Sequence, residues 1–473
     1  MPLILPGNVA SATASTTYDV DNSCRFDSAS LDQLSRNTVS ATDAQKFTLS
    51  VWLKRSQLNS SAGACRFYQG YLDGDNRLYM QFDTSDKLFI YGATGGTAEI
   101  HWTSARIFRD TAAWYHLVFQ ADSTDGTQAD RMKVYVNGVE ETSWSKTNSP
   151  NQNFDWGNQI AQTNGNLNIS GENTAAEIFD GYMAEVCFID GLALPPTSFG
   201  EYNSDSPTIW QPKDVSGLTF GNNGFYLDFK DSANLGNDAS GGTDFTEDNL
   251  TSIAQTTDTP TNNFATLNPL SRYAGTFANG NCSQTGGNDI ASTIGVTTGK
   301  WYWEVKRVDS NNVFHTGICS TNKGMTGGTM QFLNGESGAM GSAIYIHETS
   351  SGTIGYASGA GFSSTSYNSF ASPLSIGSGD IVGFALDLDS ATKKLDVYQN
   401  GSSIGDVTFS YDEENPIFIW SRMNTSVQGD FNFGNPVHSI SSGNADDNGY
   451  GNFEYAPPSG YYAICTKNLA EFG

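Results

Sequence analysis

Residues 114–140 read WYHLVFQADSTDGTQADRMKVYVNGVE, and this stretch decides the fold class. It contains two runs rich in β-branched and aromatic residues, WYHLVFQAD and KVYVNGVE, on either side of a polar segment. Residues of these types favour strands. The second run leads into Asn137-Gly138, the dipeptide preferred in two-residue type I′ hairpin turns. The stretch therefore predicts antiparallel strands joined by tight turns.

The same pattern continues along the chain. Short apolar runs alternate with clusters of Gly, Asn, Asp and Ser, and a helical period is almost absent. In FTLSVWLKR (47–55), Phe47, Leu49 and Val51 lie on one face, whereas Trp52 falls on the other, which indicates that both faces are covered. The sequence therefore predicts an all-β fold. Further strands are predicted at 77–82, 87–92, 181–191, 224–229, 299–308, 379–390 and 393–405.

The composition limits the function. The chain has 473 residues, of which 16% are charged, and a net charge of -26. Nucleic-acid-binding proteins gain much of their affinity from clustered cations, so the sequence argues against a nucleic-acid partner. No apolar run approaches the ~18 residues that a membrane helix needs, so we expect no membrane insertion. The length predicts about two to four domains.

The chain begins MPLILPGNVASATAS, which has a short apolar run but lacks the basic segment that opens a signal peptide. We interpret residues 1–20 as an N-terminal docking arm. The cysteines lie far apart and show no spacing typical of a zinc site. We predict free, buried thiols, made in a reducing cytoplasm, at Cys24, Cys65, Cys187, Cys282, Cys319 and Cys465.

Three motifs in the first half follow one another in a characteristic order. They are FTLSVWLKR, then WYHLVFQAD with KVYVNGVE, then FDGYMAEVCFIDGLAL. In these motifs the sequence resembles the superfamily of concanavalin A-like lectins and laminin G domains. The resemblance implies a two-sheet jelly roll over residues 21–203. Members of that superfamily often bind glycans, sometimes through calcium.

Residues 204–267 are rich in Asp, Asn, Gly and Thr, so we predict an ordered connector there. The β pattern then restarts with GKWYWEVKRV, GDIVGFALDLDS and KKLDVYQNGSSIG, followed by the tail YAPPSGYYAICTKNL. These motifs resemble a SPRY domain, over residues 268–473. SPRY domains are β-sandwiches that bind proteins through their loops and are not enzymes. The expected architecture is all-β, with two β-sandwich (jelly-roll) domains joined by an ordered Asp/Asn/Gly-rich connector.

This combination of domains, preceded by LILPGNVASATAS, resembles structural proteins of tailed bacteriophages, particularly those of marine hosts. The resemblance implies a virion protein that is made in the host cytoplasm and docks to other virion proteins through residues 1–20. It implies a tail fibre or receptor-binding appendage that adheres to host surface polysaccharide, and a homo-oligomer, commonly a trimer. A capsid decoration or head-fibre protein with a purely structural role is the main alternative. A polysaccharide hydrolase is the third.

A glycoside hydrolase needs two carboxylates that face one cleft. The nearest candidate is EIFDGYMAE, with Glu177, Asp180 and Glu185. On a regular strand Asp180 faces away from the other two, and Glu177 lies too far from Glu185. His116 lies inside an apolar strand run, where we expect a structural role. We therefore predict that the protein is not an enzyme.

No cofactor is firmly indicated, and Ca²⁺ is the one that the turn composition suits, because it prefers hard oxygen ligands. LDGDNRLY (72–79) offers Asp73, Asp75 and Asn76 in a tight turn. The alternative is that Asp, Asn and Gly are simply the residues of which turns are made. A second cluster, in the predicted connector, comprises Asp231, Asn234, Asn237 and Asp238.

Glycan recognition uses exposed aromatic rings with amides close by. Trp102, Trp144 and Trp156 lie in or beside polar, turn-rich segments, and WSKTNSPNQNFDW adds Asn151 and Asn153. These five residues are the glycan-binding candidates; the alternative is that the tryptophans only hold their loops in place. The tryptophans within strand motifs are predicted to be core: Trp52, Trp114, Trp301 and Trp303.

In the SPRY-like half, the loops at 324–342 and 411–416 are predicted to form an interaction rim. Its adaptable apolar side chains are Met325, Met330, Phe332 and Met340. Contact with a host receptor and packing against a neighbouring subunit or domain are both open interpretations.

Overall fold

The structure of the protein is a computed structural model. Two compact units are present, one formed by the described residues up to Thr261 and the other by those from Asn262 to Gly473. We call them the first and the second domain. The structure describes residues 18–58, 64–160, 164–172, 177–270, 275–287, 290–309, 314–320, 343–348, 354–355, 362–367, 376–411, 416–423 and 426–473.

The described strands of the first domain are β1 (Ser23–Phe26), β2 (Gln33–Asn37), β3 (Lys46–Arg55), β4 (Cys65–Asp73), β5 (Asn76–Phe82), β6 (Lys87–Thr94), β7 (Thr97–Ile107), β8 (Tyr115–Asp122), β9 (Met132–Val136), β10 (Val139–Glu140), β11 (Trp144–Asn148), β12 (Asn166–Ile169), β13 (Gly181–Asp190), β14 (Gly200–Tyr202), β15 (Trp210–Pro212), β16 (Phe225–Leu227), β17 (Thr246–Asp248) and β18 (Gln255–Thr256). Its helical segments are α1 (Gly157–Ile160) and 3-10 turns at Gln128–Asp130, Pro196–Ser198 and Ser252–Ala254.

The described strands of the second domain are β19 (Thr276–Ala278), β20 (Ser283–Thr285), β21 (Ile290–Val296), β22 (Lys300–Arg307), β23 (Phe314–Ser320), β24 (Ala343–Glu348), β25 (Ile354–Gly355), β26 (Phe362–Tyr367), β27 (Ile381–Asp387), β28 (Lys393–Gln399), β29 (Ser402–Tyr411), β30 (Ile417–Met423), β31 (Gln428–Asn432) and β32 (Tyr462–Ala463). A short helix, α2 (Thr466–Phe472), closes the chain.

Two large sheets build the sandwich of the first domain, and β14 and β15 form a separate two-stranded sheet. In the first sheet the strand order is β10-β9-β8-β3-β13-β1-β18, and β16 also pairs with β13. In the second sheet it is β11-β7-β6-β5-β4-β12-β2-β17. Alternate side chains of both sheets, such as Phe47 and Leu49 of β3 and Leu78 and Met80 of β5, meet in one hydrophobic core. The domain is therefore a β-sandwich, as the alternating pattern predicts.

The outer face of the first sheet is covered by later parts of the chain. Strands β3 and β13 are buried along almost their whole length. Trp52 is only 3% exposed and packs in a cluster with Trp114 and Tyr182. The predictions that both faces of β3 are covered and that these tryptophans are core are confirmed.

Residues 199–261, which we call the covering segment, include most of the predicted connector, and they either pack on this face or extend the two sheets. Residues up to Thr261 belong to the first domain, and β16, β17 and β18 pair with β13, β2 and β1. The boundary between the domains therefore lies at 261/262, and the stretch 204–267 is not a free-standing connector. Its composition is polar, but it carries buried apolar side chains that the two cores of the first domain require: Val215, Phe225, Tyr226, Leu227, Phe229, Leu235, Phe245 and Leu250.

The second domain also pairs two sheets. One has the order β19-β20-β31-β22-β27-β28-β29-β26, with β32 parallel to β22, and the other has the order β21-β30-β23-β24-β25. Side chains from both sheets share a core that includes Trp301 and Trp303, which are predicted to be core. The all-β fold with two β-sandwiches is confirmed, and α2 is the one helix longer than a single turn in the described chain.

Two further predictions are confirmed. Asn137-Gly138 has positive φ at both residues, 49° and 78°, as the predicted type I′ turn requires, and Asn400-Gly401 between β28 and β29 has the same geometry, with 49° and 77°. All six cysteines are free and buried. Within the described residues, no helix has the length and apolar character needed to cross a membrane.

Candidate functional site

Four ring side chains form a patch on the outer face of the second sheet. Tyr79 lies on β5, Phe89 and Tyr91 on β6, and His101 on β7, and all four are half-buried. Successive side chains of a strand point to opposite faces, so these rings face away from the core. We call this set the aromatic face. The residues that alternate with its members lie in the core: Leu78, Met80, Leu88, Ile90, Ile100 and Trp102.

The register of the strands brings the four rings together. Tyr79 lies opposite Tyr91, and Tyr91 lies opposite His101. The rings of Tyr79 and Tyr91 stack with their centroids 5.3 Å apart. The Phe89 ring is nearly parallel to that of Tyr91, at 10°, whereas the His101 ring stands at 72° to it. Aromatic pairs of this kind contribute about 0.5–1.5 kcal/mol each, which fixes the rings relative to one another.

A buried arginine borders the aromatic face. The guanidinium carbon of Arg66 lies 4.0 Å from the centroid of the Tyr79 ring. Gln81 Oε1 accepts hydrogen bonds from Arg66 Nε and Nη2, at 3.2 and 3.1 Å, and Glu172 Oε2 pairs with Nη1 at 2.7 Å. Glu177 pairs with the same guanidinium. This margin is therefore rigid, and the arginine charge is balanced by carboxylates.

The aromatic face combines apolar ring surface with polar groups. Burial raises the pKa of Tyr79, so its hydroxyl stays protonated as a hydrogen-bond donor. Thr103 lies opposite Phe89 and adds a second hydroxyl. A contiguous patch of solvent-facing rings with a polar margin is more typical of a binding surface than of the rest of a protein surface. The patch suits a flat ligand that has apolar C–H surfaces and hydroxyl groups.

The prediction that Trp102 and Trp156 bind glycans is wrong, because both rings are buried. Trp156 is fully buried, with its ring centroid 5.3 Å from that of Phe47. Trp102 is 2% exposed, and its Nε1 donates to the Asn148 carbonyl oxygen at 2.8 Å. Trp102 faces the core because it alternates with His101 on β7. The polar residues around these tryptophans in the sequence therefore did not predict the exposure of their rings.

The remaining glycan candidates lie apart from the aromatic face. Trp144 is half-buried against the core of the first domain, and its Nε1 donates to the Glu141 carbonyl oxygen at 2.6 Å. Asn151 and Asn153 are exposed. The Asn153 backbone N–H donates to the Ser123 carbonyl oxygen at 2.7 Å, which holds the loop to the end of β8. For Trp144 the structure favours the loop-holding role.

The acidic turn at 72–79 joins β4 to β5. Asp73 Oδ1 accepts hydrogen bonds from the backbone N–H groups of Asp75 and Asn76 and from Asn76 Nδ2, each at 2.9 Å. These bonds lower the pKa of Asp73. They account for the residue types without an ion, so calcium at this turn stays a prediction, which melting in EDTA tests.

The second predicted calcium cluster is divided among other partners. Asp238 is buried and pairs with Arg36 Nη1 at 3.0 Å, while its Oδ1 accepts from Tyr226 N and Ser240 N. Asn234 Nδ2 donates to Asp244 Oδ2 at 2.9 Å. Across the part of the chain that the structure describes, no three His, Cys, Asp or Glu side chains come together as a metal site would require.

The three carboxylates of EIFDGYMAE have separate surroundings. Strand β13 begins at Gly181, so Glu177 and Asp180 precede it and only Glu185 lies on it. Glu177 pairs with Arg66, as described above. Asp180 accepts hydrogen bonds from Ser28 and Ser56, and burial raises its pKa to about 6.

Glu185 sits at an irregularity in the pairing of β13 with β3. Tyr226 Oη donates to its Oε2 at 2.8 Å and Tyr18 Oη at 3.1 Å. Burial raises the pKa of Glu185 to about 7. Glu185 therefore links two other parts of the chain to the first sheet through hydrogen bonds. One is Tyr18, which belongs to the predicted arm, and the other is Tyr226 of the covering segment. Of that arm, residues 1–17 lie outside the described residues.

The apolar residues of the predicted interaction rim are not among those that the structure describes. Met325, Met330, Phe332 and Met340 all lie outside the described residues. The aromatic face, by contrast, is a feature that the sequence analysis missed. The signal was present in RLYMQF and KLFIYG, where rings occupy the positions that alternate with core residues.

Comparisons with known proteins agree with the fold of the first domain. Residues 28–196 match the Laminin_G_3 family model of the concanavalin A-like lectin/glucanases superfamily. No curated protein matches the chain.

Several solved structures are similar to parts of the chain. A native heptameric SAP-like pentraxin from Limulus polyphemus is 15% identical and covers 38% of this chain and 80% of its own, with a TM-score of 0.28. Domain 4 of an extracellular arabinanase from Geobacillus stearothermophilus, in complex with arabinotriose, is 23% identical and covers 34% and 65%, with a TM-score of 0.24. A human SPRY domain is 13% identical and covers 34% and 94%, with a TM-score of 0.22.

Proposed function

We propose that the protein is a non-enzymatic carbohydrate-binding protein and that the aromatic face of the first domain is its binding surface. The observation that carries this proposal is the set of four rings on three neighbouring strands, which faces away from the core. The match of residues 28–196 to a lectin and glucanase superfamily supports it.

The chemistry of the aromatic face favours a neutral glycan. Sugar rings have apolar C–H surfaces that pack on aromatic rings, and their hydroxyl groups bond to polar side chains at the margin. Arg66 is already paired with Glu172 and Glu177, so it offers little attraction to an anionic sugar. The chain as a whole carries a net charge of -26, which disfavours anionic ligands further.

We propose that the protein does not hydrolyse glycans, and the positions of its carboxylates support this. Retaining or inverting hydrolysis needs two carboxyl groups at a set separation across one cleft. The carboxylates at the margin of the aromatic face both bind Arg66, while Asp180 and Glu185 are buried with serine and tyrosine partners. Release of reducing sugar by the purified protein, abolished by Glu177→Gln, would contradict this part of the proposal.

We further propose that the protein acts in a phage virion, as a tail fibre or receptor-binding appendage that adheres to host surface polysaccharide. The support is the order of a lectin-like and a SPRY-like domain after a short N-terminal arm. In this role the arm docks to other virion proteins, and the protein forms a homo-oligomer, commonly a trimer. Particles that lack the protein should adsorb poorly. Normal adsorption with reduced capsid stability would instead favour the decoration role.

The binding surface is tested with the purified protein and host surface polysaccharide. Replacing both Tyr79 and Tyr91 by Ala removes two stacking rings, and each is worth about 0.5–1.5 kcal/mol, so we expect at least about a 5-fold loss of affinity. The matched control is Tyr398→Ala, which removes a half-buried strand tyrosine in the second domain. Unchanged retention of polysaccharide by a folded double variant would overturn the proposal.

A further inference from the structure

An open cavity of about 350 Å³ lies over the outer face of the first sheet, beside the turn between β9 and β10. Its walls include three tryptophans, Trp52, Trp114 and Trp210, and the ring of Tyr202. Trp52 lies on β3, and Trp114 directly precedes β8. Tyr202 and Trp210 come from the paired strands β14 and β15 of the covering segment. The cavity therefore forms only where the covering segment meets the sheet.

The Trp210 ring is held in place by its neighbours. Its Nε1 donates to His116 Nδ1 at 2.9 Å, and the planes of the two rings differ by 22°. Because Nδ1 accepts this bond, the neutral imidazole carries its proton on Nε2, which lies 2.8 Å from Ser50 Oγ. A Cβ atom at Gly138 or Gly200 would come within 2.6 or 2.7 Å of the Trp210 ring. This wall of the cavity is therefore preorganised.

The rim of the cavity is polar but carries no net charge. Arg106 lines it, and its Nε pairs with Glu141 Oε2 at 2.7 Å. Asn137 contributes at the turn. Tyr202 is 48% exposed and stands edge-on to Trp210, with ring centroids 5.0 Å apart. An entering ligand thus meets rigid rings on the inside and neutral hydrogen-bonding groups at the mouth.

We infer that this cavity binds a single terminal ring of a neutral carbohydrate. Its volume lies at the small end of the range of about 300–1,000 Å³ typical of ligand pockets, which suits one ring more than a chain. Tryptophan walls suit the C–H surfaces of a sugar, and the rim groups suit its hydroxyls. A purely apolar ligand would remove those rim groups from water without bonding them, which costs free energy.

The cavity is a different site from the aromatic face. The two lie on different sheets of the first domain and share no residue. The aromatic face is open along three strands and suits internal parts of a glycan chain, whereas the cavity admits a chain end. The inference therefore does not depend on the proposed function of the aromatic face.

Tryptophan fluorescence tests the inference with the full-length protein. The probes are the methyl glycosides of glucose, galactose, mannose and N-acetylglucosamine, each titrated separately. Three tryptophans line the cavity and none belongs to the aromatic face, so we expect binding in the cavity to change the emission, and the variants below assign the change to it. We expect at least one probe to give such a change, with a Kd on the order of 1 mM for a single ring.

Two variants and a control assign the signal. Tyr202→Ala removes one wall, and we expect the Kd to rise at least about 2-fold. Val139 is 57% exposed and lines the cavity, so Val139→Trp should fill the mouth and abolish the change without removing a contact. Tyr398→Ala should leave the Kd as it is.

Three results would overturn the inference. They are the absence of a saturable change with all four glycosides, an unchanged Kd in both cavity variants, and loss of the signal in the Tyr79 and Tyr91 double variant instead. Failure of polysaccharide retention at the aromatic face, with the glycoside signal intact, would count only against the proposed function.

Discussion

The two sheets of the first domain differ in what lies outside them. On the first sheet, the outward side chains Trp52, His116 and Tyr182 are buried under a returning segment that includes Trp210. On the second sheet, the outward rings of the aromatic face are half-buried against one another. Both sets alternate with core residues on their strands. Aromatic residues at outward positions thus become core or stay partly exposed according to whether another segment returns over them.

The covered face depends on polar contacts as well as apolar ones. Lys54 Nζ pairs with Asp258 Oδ2 at 2.7 Å, and Trp114 Nε1 donates to Asp258 Oδ1 at 3.1 Å. Both members of the ion pair are buried. Removing one partner of such a pair leaves a buried charge without compensation. Asp258 therefore ties the end of the covering segment to the first sheet.

The largest effect is expected from Asp258→Ala, which breaks this tie. We expect it to lower the free energy of unfolding by about 3–5 kcal/mol, because the buried Lys54 ammonium loses its carboxylate. Urea unfolding of the full-length protein measures the change. Asp258→Asn, which keeps an acceptor for Trp114, should lose less. A loss below about 1 kcal/mol for Asp258→Ala would show that the cover does not need the ion pair.

The next effect is expected from Trp210→Ala, which removes the ring over His116. The Trp210 side chain is only half-buried, so the loss should be about 2–3 kcal/mol, below the 3–5 typical of buried aromatic residues. Urea unfolding again gives the value, and Trp210→Phe is the control that keeps a ring but removes the bond to His116. An unchanged unfolding midpoint would mean that the covering segment is not held by Trp210.

The covered face should also respond to pH through His116. Burial lowers the pKa of His116 to about 3, against about 6.5 in the unfolded chain. As the pH falls below 6.5, the unfolded state takes up a proton that the folded state refuses, so stability falls by about 1.4 kcal/mol per pH unit until the folded pKa is reached.

Other groups titrate in the same range, so His116 must be isolated by difference. The raised pKa of Glu185, about 7, acts in the opposite direction between pH 4.5 and 7. We therefore compare the unfolding free energies of the protein and of His116→Gln between pH 6 and pH 4. The variant should lack about 1 kcal/mol per pH unit of the slope. Parallel profiles would contradict the assignment.

The smallest effect on stability is expected from Tyr91→Ala, on the uncovered sheet. Its side chain is half-buried and its ring pairs with three others, each pair being worth about 0.5–1.5 kcal/mol, so we expect a loss of about 1.5–2 kcal/mol, together with weaker retention of polysaccharide. The free energy of unfolding and the retention of polysaccharide should both be measured on one preparation, so that the packing role and the binding role are compared directly. A loss of stability equal to that of Trp210→Ala would mean that the aromatic face is packing and not a binding surface.

Local patterns predicted much of the fold. The period of two placed Phe47, Leu49 and Val51 on one face of a strand, and that face lies in the core; Asn137-Gly138 predicted its turn. Both properties depend on neighbouring residues only. That both faces of β3 are covered was predicted, but the segment that covers the first sheet was not, since it is held by contacts between residues far apart in the chain, such as Trp210 with His116. The same limit explains why Trp102 and Trp156 were placed on the surface.

The six buried thiols have a consequence for the durability of the molecule. Each cysteine is inaccessible, and burial raises the pKa of Cys65 to about 11 and of Cys465 to about 12, while those of Cys24 and Cys187 also rise well above their usual value. Thiolate is the species that peroxides and disulfides attack, and these four residues supply almost none of it. The folded chain can therefore persist in an oxidant-rich medium without forming disulfides to other molecules through these four thiols.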